Sequence, residues 1–193
     1  MAIVLAAGRS TRMSGHNKLL LPWGEKCIVQ AVVETLLDAS LAEIVVVTGH
    51  QRDKVEILLR DYPLHFAPNP HYAEGLSTSI RRGVEAAGKE VAGYLFALGD
   101  MPRISSATID KLCTTFLQHA DPIVVPTADG KRGNPVLFAS SYREDLRQLK
   151  GDQGAKPLVH KYADKVKDVP VDDPGIFIDM DTPQAYHTAV NPP

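Results

Sequence analysis

Ile3-Val4-Leu5-Ala6-Ala7-Gly8-Arg9-Ser10-Thr11-Arg12-Met13 runs from an unbroken apolar segment through a glycine into a basic loop, which Lys18 closes ahead of Leu19-Leu20-Leu21-Pro22. An apolar run of this kind ending in small residues reads as a central parallel strand, because a strand covered on both faces is apolar at every position. Open α/β sheets bind ligands just beyond the carboxyl ends of such strands. The loop after Leu5 suits phosphate. Ala6, Ala7 and Gly8 let a ligand approach main-chain N–H groups, while Arg9, Arg12 and Lys18 supply positive charge. Two common glycine fingerprints are absent: the glycine after Gly8 is Gly15, which breaks G-x-G-x-x-G, and no Gly-Lys-Ser/Thr follows.

Strands and helices alternate along the rest of the chain, the pattern of a parallel sheet with helices on both faces. Helices are expected from Ile28 to Ala39, from about Arg52 to Asp61, from about Ser77 to Ala87 and, after a Ser105 N-cap, to about His119. Strands are expected at Glu43 to Thr48, Leu64 to Ala67, Val91 to Leu98, Ile123 to Val125 and Pro135 to Phe138. Two further helices, a strand near Phe177 and a helix after Pro183 complete the pattern. With 193 residues and no repeat or linker-like stretch, the chain is expected to form one domain, 1–193.

A composition of 44% hydrophobic and 23% charged residues with net charge −2 is that of a globular protein. Near neutrality argues against sequence-independent nucleic-acid binding, which needs a basic face. No apolar stretch approaches the roughly 18 residues of a membrane span, and the N-terminal apolar run is too short for a signal-peptide core with a basic leader. A cytoplasmic location is expected. Cys27 and Cys113 are too few and too far apart for a disulfide framework or a zinc site and read as buried free thiols.

Two acidic features stand out. Asp100 ends the strand Tyr94-Leu95-Phe96-Ala97-Leu98 and would project over the same sheet edge as the basic loop. Hard oxygen ligands suit Mg²⁺, which nucleotide enzymes commonly hold with one or two carboxylates plus phosphate oxygens. Capping a turn before Met101-Pro102 is the alternative. Asp179 and Asp181, in Ile178-Asp179-Met180-Asp181-Thr182-Pro183, share one face of an extended segment and would repel unless a cation or donor joins them. Asp181 or Thr182 is also placed to cap the helix at Pro183, so Asp179 is favoured as the metal ligand. Between these, Asn69-Pro70-x-Tyr72-Ala73-x-Gly75-Leu76-Ser77-Thr78-Ser79 forms a loop entering a helix, with groups for a base edge or for capping.

Together, LAAGRSTRM, NKLLLPWG, VVVTGH, NPHYAEGLSTSI, LGDMP, GNPVLF and DMDTP, in order from Leu5 to Pro183, resemble the molybdenum cofactor cytidylyltransferase group of the molybdopterin nucleotidyltransferase family. The resemblance implies a Rossmann-like nucleotidyltransferase fold, Mg²⁺, a nucleoside triphosphate and the pterin phosphate as acceptor. By position it assigns Ala6, Ala7, Gly8, Arg12 and Lys18 to the triphosphate loop, Gly75 to Ser79 to the base, Asp100 to the magnesium, and Asp179 and Asp181 to the late acidic pair near the metal. Ala7 stands where the guanylyltransferase branch carries glycine, which favours CTP over GTP. Relatives carry glycine directly after Arg-Met; here Ser14 stands there and Gly15 one place later.

The expected chemistry is in-line attack of an acceptor phosphate on the α-phosphorus with loss of pyrophosphate, Arg12 and Lys18 stabilising the charge that builds. An anionic phosphate needs no general base, and none of the seven histidines has metal-ligand spacing. His50 and His71 lie in segments that could line the cleft. The loops Gly130 to Pro135 and Gly151 to Lys156 are candidate acceptor contacts. Rival readings are a guanylyltransferase, a sugar-phosphate nucleotidyltransferase, and a non-catalytic partner delivering cofactor to an apo-molybdoenzyme.

Overall fold

Ala2–Ala6 is buried at all five positions and forms the first strand, β1, of the computed structural model, which describes residues 1–13, 15–88 and 90–190. Ser14 lies outside the described residues. In chain order there follow β2 (Pro22–Trp23), β3 (Lys26–Cys27), α1 (Ile28–Leu37), β4 (Ile44–Thr48), α2 (Arg52–Leu59), β5 (His65–Pro68), α3 (Leu76–Ala86), β6 (Gly93–Leu98) and α4 (Ser106–Leu117). The second half adds β7 (Ile123–Ala128), β8 (Lys131–Arg132), β9 (Val136–Ala139), α5 (Arg143–Arg147), α6 (Lys156–Lys161), β10 (Val166–Pro170) and α7 (Pro183–Val190).

The main sheet runs β10-β7-β9-β6-β1-β4-β5, with β8 added to β7. β1 pairs in parallel with both β4 and β6, β4 with β5, and β10 with β7, whereas β9 is antiparallel to β6 and β7. The fold is therefore the mostly parallel α/β sheet expected. Alternation along β1 sets the two cores. Ala2, Val4 and Ala6 face Val32, Leu36 and Leu112 from α1 and α4, while Ile3 and Leu5 face Ile80, Val84 and Leu146 from α3 and α5. Gly83 lets α3 lie close on β1, since a Cβ there would stand 2.3 Å from Ile3 Cγ2.

The order departs to β4 and β5 on one side of β1 and to β6 on the other. The β1–β6 boundary is thus a topological switch point, where the loops after two adjacent parallel strands diverge and leave a crevice. Loop 7–13 and Asp100 lie at its mouth.

Two expectations need correction. Phe177 does not lie in a strand: Pro174–Phe177 is a 3-10 turn, begun by Asp173, whose side chain accepts from the Gly175 N–H. The late strand is β10, whose Val-Lys-Asp-Val-Pro pattern suits a sheet edge half open to solvent. The cysteines are free, but both are only part-buried, and Cys27 stands at the N-cap of α1. Among the described residues, no helix is long and apolar enough to cross a membrane.

Candidate active site

A cleft of about 840 Å³ opens at the switch point, lined by residues from β1 and its loop (Leu5, Ala7, Gly8, Arg9, Arg12, Lys18), from the entry to α3 (Tyr72 to Leu76, Ser79), and by Asp100, Asp179 and Asp181. The basic loop and the carboxylates thus meet in one space. Lys18 begins a 3-10 turn, Lys18–Leu20, whose N-cap Asn17 accepts from the Leu19 N–H at 3.1 Å. Asn17 is buried and anchors the turn to the segment just after β4 by donating to the His50 carbonyl. The Lys18 N–H donates to Ser10 Oγ at 3.1 Å. Both termini of the loop are therefore held, and the lysine emerges from a fixed base.

Lys18 Nζ donates to both Asp100 Oδ2 and Asp181 Oδ1, and Arg12 donates to Asp181 Oδ2. Burial alone would push the Lys18 ammonium below the ordinary lysine range, but Asp100 and Asp181 together hold it above. Burial would likewise raise Asp181, which Lys18 and Arg12 instead hold below the usual carboxylate range. Asp179 goes the other way. Burial and the neighbouring Asp181 and Asp100 carboxylates raise it, and it has no ion pair among the described residues. The acidic segment is tied to β6 by the main chain, since the Met180 N–H donates to the Asp100 carbonyl at 3.0 Å. Ile178 and Met180 pack on the opposite side with Ile28 and Ala189.

The cap of α7 is Thr182, whose hydroxyl accepts from the Ala185 N–H at 3.1 Å, which frees Asp181 for its two cations. Among the described residues no group of three or more His, Cys, Asp or Glu side chains could hold a metal ion by itself. A nucleotide-bound Mg²⁺ does not require one, because it keeps waters and phosphate oxygens and takes only one or two carboxylates. The donor set fits such an ion. All three carboxylates are hard oxygen donors, and Asp179 is a partly buried one that forms no salt bridge among the described residues.

The entry to α3 is more divided. Gly75 has φ +112°, and a Cβ there would stand 2.7 Å from the Gly151 carbonyl oxygen, so the two loops approach as only glycine permits. The first turn of α3 is capped from this second loop: the Leu76 N–H donates to Asp152 Oδ1 at 2.9 Å and the Ser77 N–H to the Gly151 carbonyl. Ser79 lines the cleft, while Ser77 is buried outside it. Thr78 faces a second cavity of about 610 Å³ beside Arg81 and Arg147. Asn69 holds the pair by donating to Thr78 Oγ1 at 2.9 Å and Ser79 Oγ at 3.1 Å.

Of the two glycine-rich loops, Gly151, Asp152 and Lys156 reach the cleft. Arg132 does not, because it is engaged by Asp168 at 2.7 and 3.0 Å on the far edge of the sheet. His50 and His71 also lie outside its lining, His71 being paired with Glu74. Ala6 is buried in the core and can offer only its backbone. Tyr72 was named from the sequence only as part of this loop and Glu74 was not singled out; the signal was its place just ahead of Gly75 in a loop aimed at the cleft.

Residues 2–166 match the family described as MobA-like NTP transferase domain. The chain is 28% identical to the molybdenum cofactor cytidylyltransferase of Escherichia coli, over 97% of this chain and 93% of that protein. It is 29% identical to purine catabolism protein PucB of Bacillus subtilis, over 96% and 93%. Among solved structures, a nucleotidyl transferase from Methanothermobacter thermautotroptrophicus superposes with TM-score 0.84 at 28% identity, over 97% of this chain and 94% of that one.

Proposed function

The chain belongs to the MobA-like NTP transferase domain family and is a nucleotidyltransferase; from that premise we propose that it transfers CMP from CTP to the phosphate of molybdopterin or its molybdenum cofactor and releases pyrophosphate. The observation that carries this reading is the meeting of Arg9, Arg12 and Lys18 with Asp100, Asp179 and Asp181 in one cleft. A triphosphate needs the cations, and the cation that accompanies it needs the carboxylates. Similarity along nearly the whole chain to a molybdenum cofactor cytidylyltransferase supports the acceptor. Ala7, a nearly buried residue bordering the cleft, supports the base, since it stands where the guanylyltransferase branch carries glycine.

In the reaction, an oxygen of the acceptor phosphate attacks the α-phosphorus in line with the leaving oxygen. The new P–O bond forms as the bond to the β-phosphate oxygen breaks, and pyrophosphate leaves with that electron pair. The attacking phosphate is already anionic, so the protein's part is positioning and charge neutralisation. Leu5 to Gly8 present backbone to the triphosphate, with Arg9 at the rim. Arg12 and Lys18 stabilise charge on the departing pyrophosphate. Gly75 and Ser79 border the base, and Ser77 and Thr78 support them from behind. Asp100 and Asp179, with Asp181 beside them, would hold Mg²⁺, which when bound offsets phosphate charge.

Mass spectrometry after incubation with CTP, Mg²⁺ and molybdopterin tests the proposal. The expected product is the acceptor enlarged by one CMP. An unchanged acceptor would contradict it: CMP added to a sugar phosphate supplied in place of molybdopterin would favour the sugar-phosphate reading, and bound nucleotide with no pyrophosphate release would favour a non-catalytic partner of an apo-molybdoenzyme.

A further inference from the structure

Lys18 is oddly placed for a residue that serves a triphosphate. Its ammonium bridges Asp100 and Asp181, two of the oxygen donors that a divalent cation would use. The side chain is only 14% exposed, and its main chain is held by Asn17 and Ser10. Asp179, on the same acidic segment, forms no salt bridge among the described residues. We propose that in the empty enzyme Lys18 takes the place of the divalent cation, and that this cation enters only when a triphosphate draws Lys18 away, so that Lys18 couples metal binding to nucleotide binding. The proposal rests on the nucleotidyltransferase reading of the cleft and involves the metal and the nucleotide alone.

The charges argue for it. With Lys18 in place, the three carboxylates face two cations, Lys18 and Arg12, and one negative charge remains; without Lys18 two remain. A divalent cation sharing Asp100 and Asp181 with an ammonium would sit within a few ångströms of a like charge in a half-buried site, where repulsion is weakly screened. A triphosphate resolves the conflict. Its outer oxygens give the ammonium a new partner, and its remaining oxygens complete the shell of the metal. The flexible stem of lysine permits the swing, while the fixed 3-10 turn limits its reach. Because two ligands that each relieve the same contact bind with positive coupling, the metal and the nucleotide should each tighten the other.

The test is Mn²⁺ binding, read as the loss of the free-ion electron paramagnetic resonance signal, for wild type and Lys18→Met. Without nucleotide, Lys18→Met should bind Mn²⁺ about tenfold more tightly than wild type, within the usual range of coupling. With α,β-methylene-CTP present the order should reverse, because wild type then gains a phosphate contact that methionine cannot make. Asp179→Asn added to Lys18→Met should remove the gain. Lys18→Gln is read in parallel, so that a folding defect in one variant leaves the other to decide. Equal or weaker Mn²⁺ binding by the folded variants without nucleotide would overturn the proposal, as would a gain that survives the loss of Asp179. Failure to modify molybdopterin would count against the acceptor assignment and leave the result of this titration unaffected.

Discussion

Asp100 joins the two halves of the cleft, its carbonyl accepting from Met180 and its carboxylate from Lys18. Asp100→Asn keeps the shape and removes the charge, so turnover at saturating Mg²⁺ should fall on the order of 10²-fold or more, the scale of losing one preorganised electrostatic contact. A variant within about threefold of wild type, far short of that scale, would reduce Asp100 to a turn residue. Arg12 is the converse case. Its side chain is 66% exposed and its pairing with Asp181 is open to solvent, so Arg12→Ala should change stability by less than about 0.5 kcal/mol. Its kcat should nevertheless drop markedly, since Arg12 lines the cleft and is proposed to stabilise the departing pyrophosphate. A matched loss of melting temperature and activity would contradict that split. At this scale the sequence already marked Gly8, Arg12, Lys18 and Asp100 as one group, because strand ends followed by glycine or charge are local signals. Which carboxylate pairs with which cation depends on the contact between Lys18 and a segment 163 positions away, and no local pattern encodes that.

Asp173 governs the element scale. It is 9% exposed and accepts from the Ser105 N–H at 3.0 Å, the Ser105 hydroxyl at 2.9 Å, the Thr108 hydroxyl at 2.7 Å and the Gly175 N–H at 2.9 Å. One carboxylate thus binds the start of α4 to the turn that leads into Asp179. Burial would raise its pKa, but the donors from Ser105, Thr108 and Gly175 prevail and hold it below the ordinary range. A lowered carboxylate adds stability that is fully present above the unfolded value, about 3.9, and is lost as pH falls toward the folded one. Asp173→Asn turns a donor toward these donors and should cost about 1–3 kcal/mol at neutral pH, with the gap to wild type narrowing below about pH 4. Thermal melts at both pH values check this, and a gap independent of pH would contradict it. The helices and central strands could be read in the sequence because Ile44–Thr48 is buried throughout and Ser105 caps α4 by accepting from the Thr108 N–H. The segment from Val166 to Phe177 was misread because Ile176, Phe177 and Ile178 look like a strand, whereas Pro174 and the Asp173 cap force a tight turn. The two-residue strands β2 and β3 are too short to leave a periodicity.

At the scale of the molecule, the sheet order explains why residues from positions 5 to 181 converge. β1 and β6 are parallel neighbours, so their carboxyl ends, Leu5 to Gly8 and Leu98 to Asp100, open to one side, and the acidic segment is laid across them by Met180. That convergence followed from the alternation of strands and helices, but the contact of the Gly151–Asp152 loop with α3 did not, since it joins parts of the chain more than seventy positions apart. The most direct test of the whole account is pyrophosphate release by the wild-type protein with each of the four nucleoside triphosphates, with and without molybdenum cofactor, in Mg²⁺. The account predicts release that requires the cofactor and proceeds with a higher kcat/KM for CTP than for GTP; release that ignores the cofactor, or equal or better kcat/KM with GTP, would contradict it.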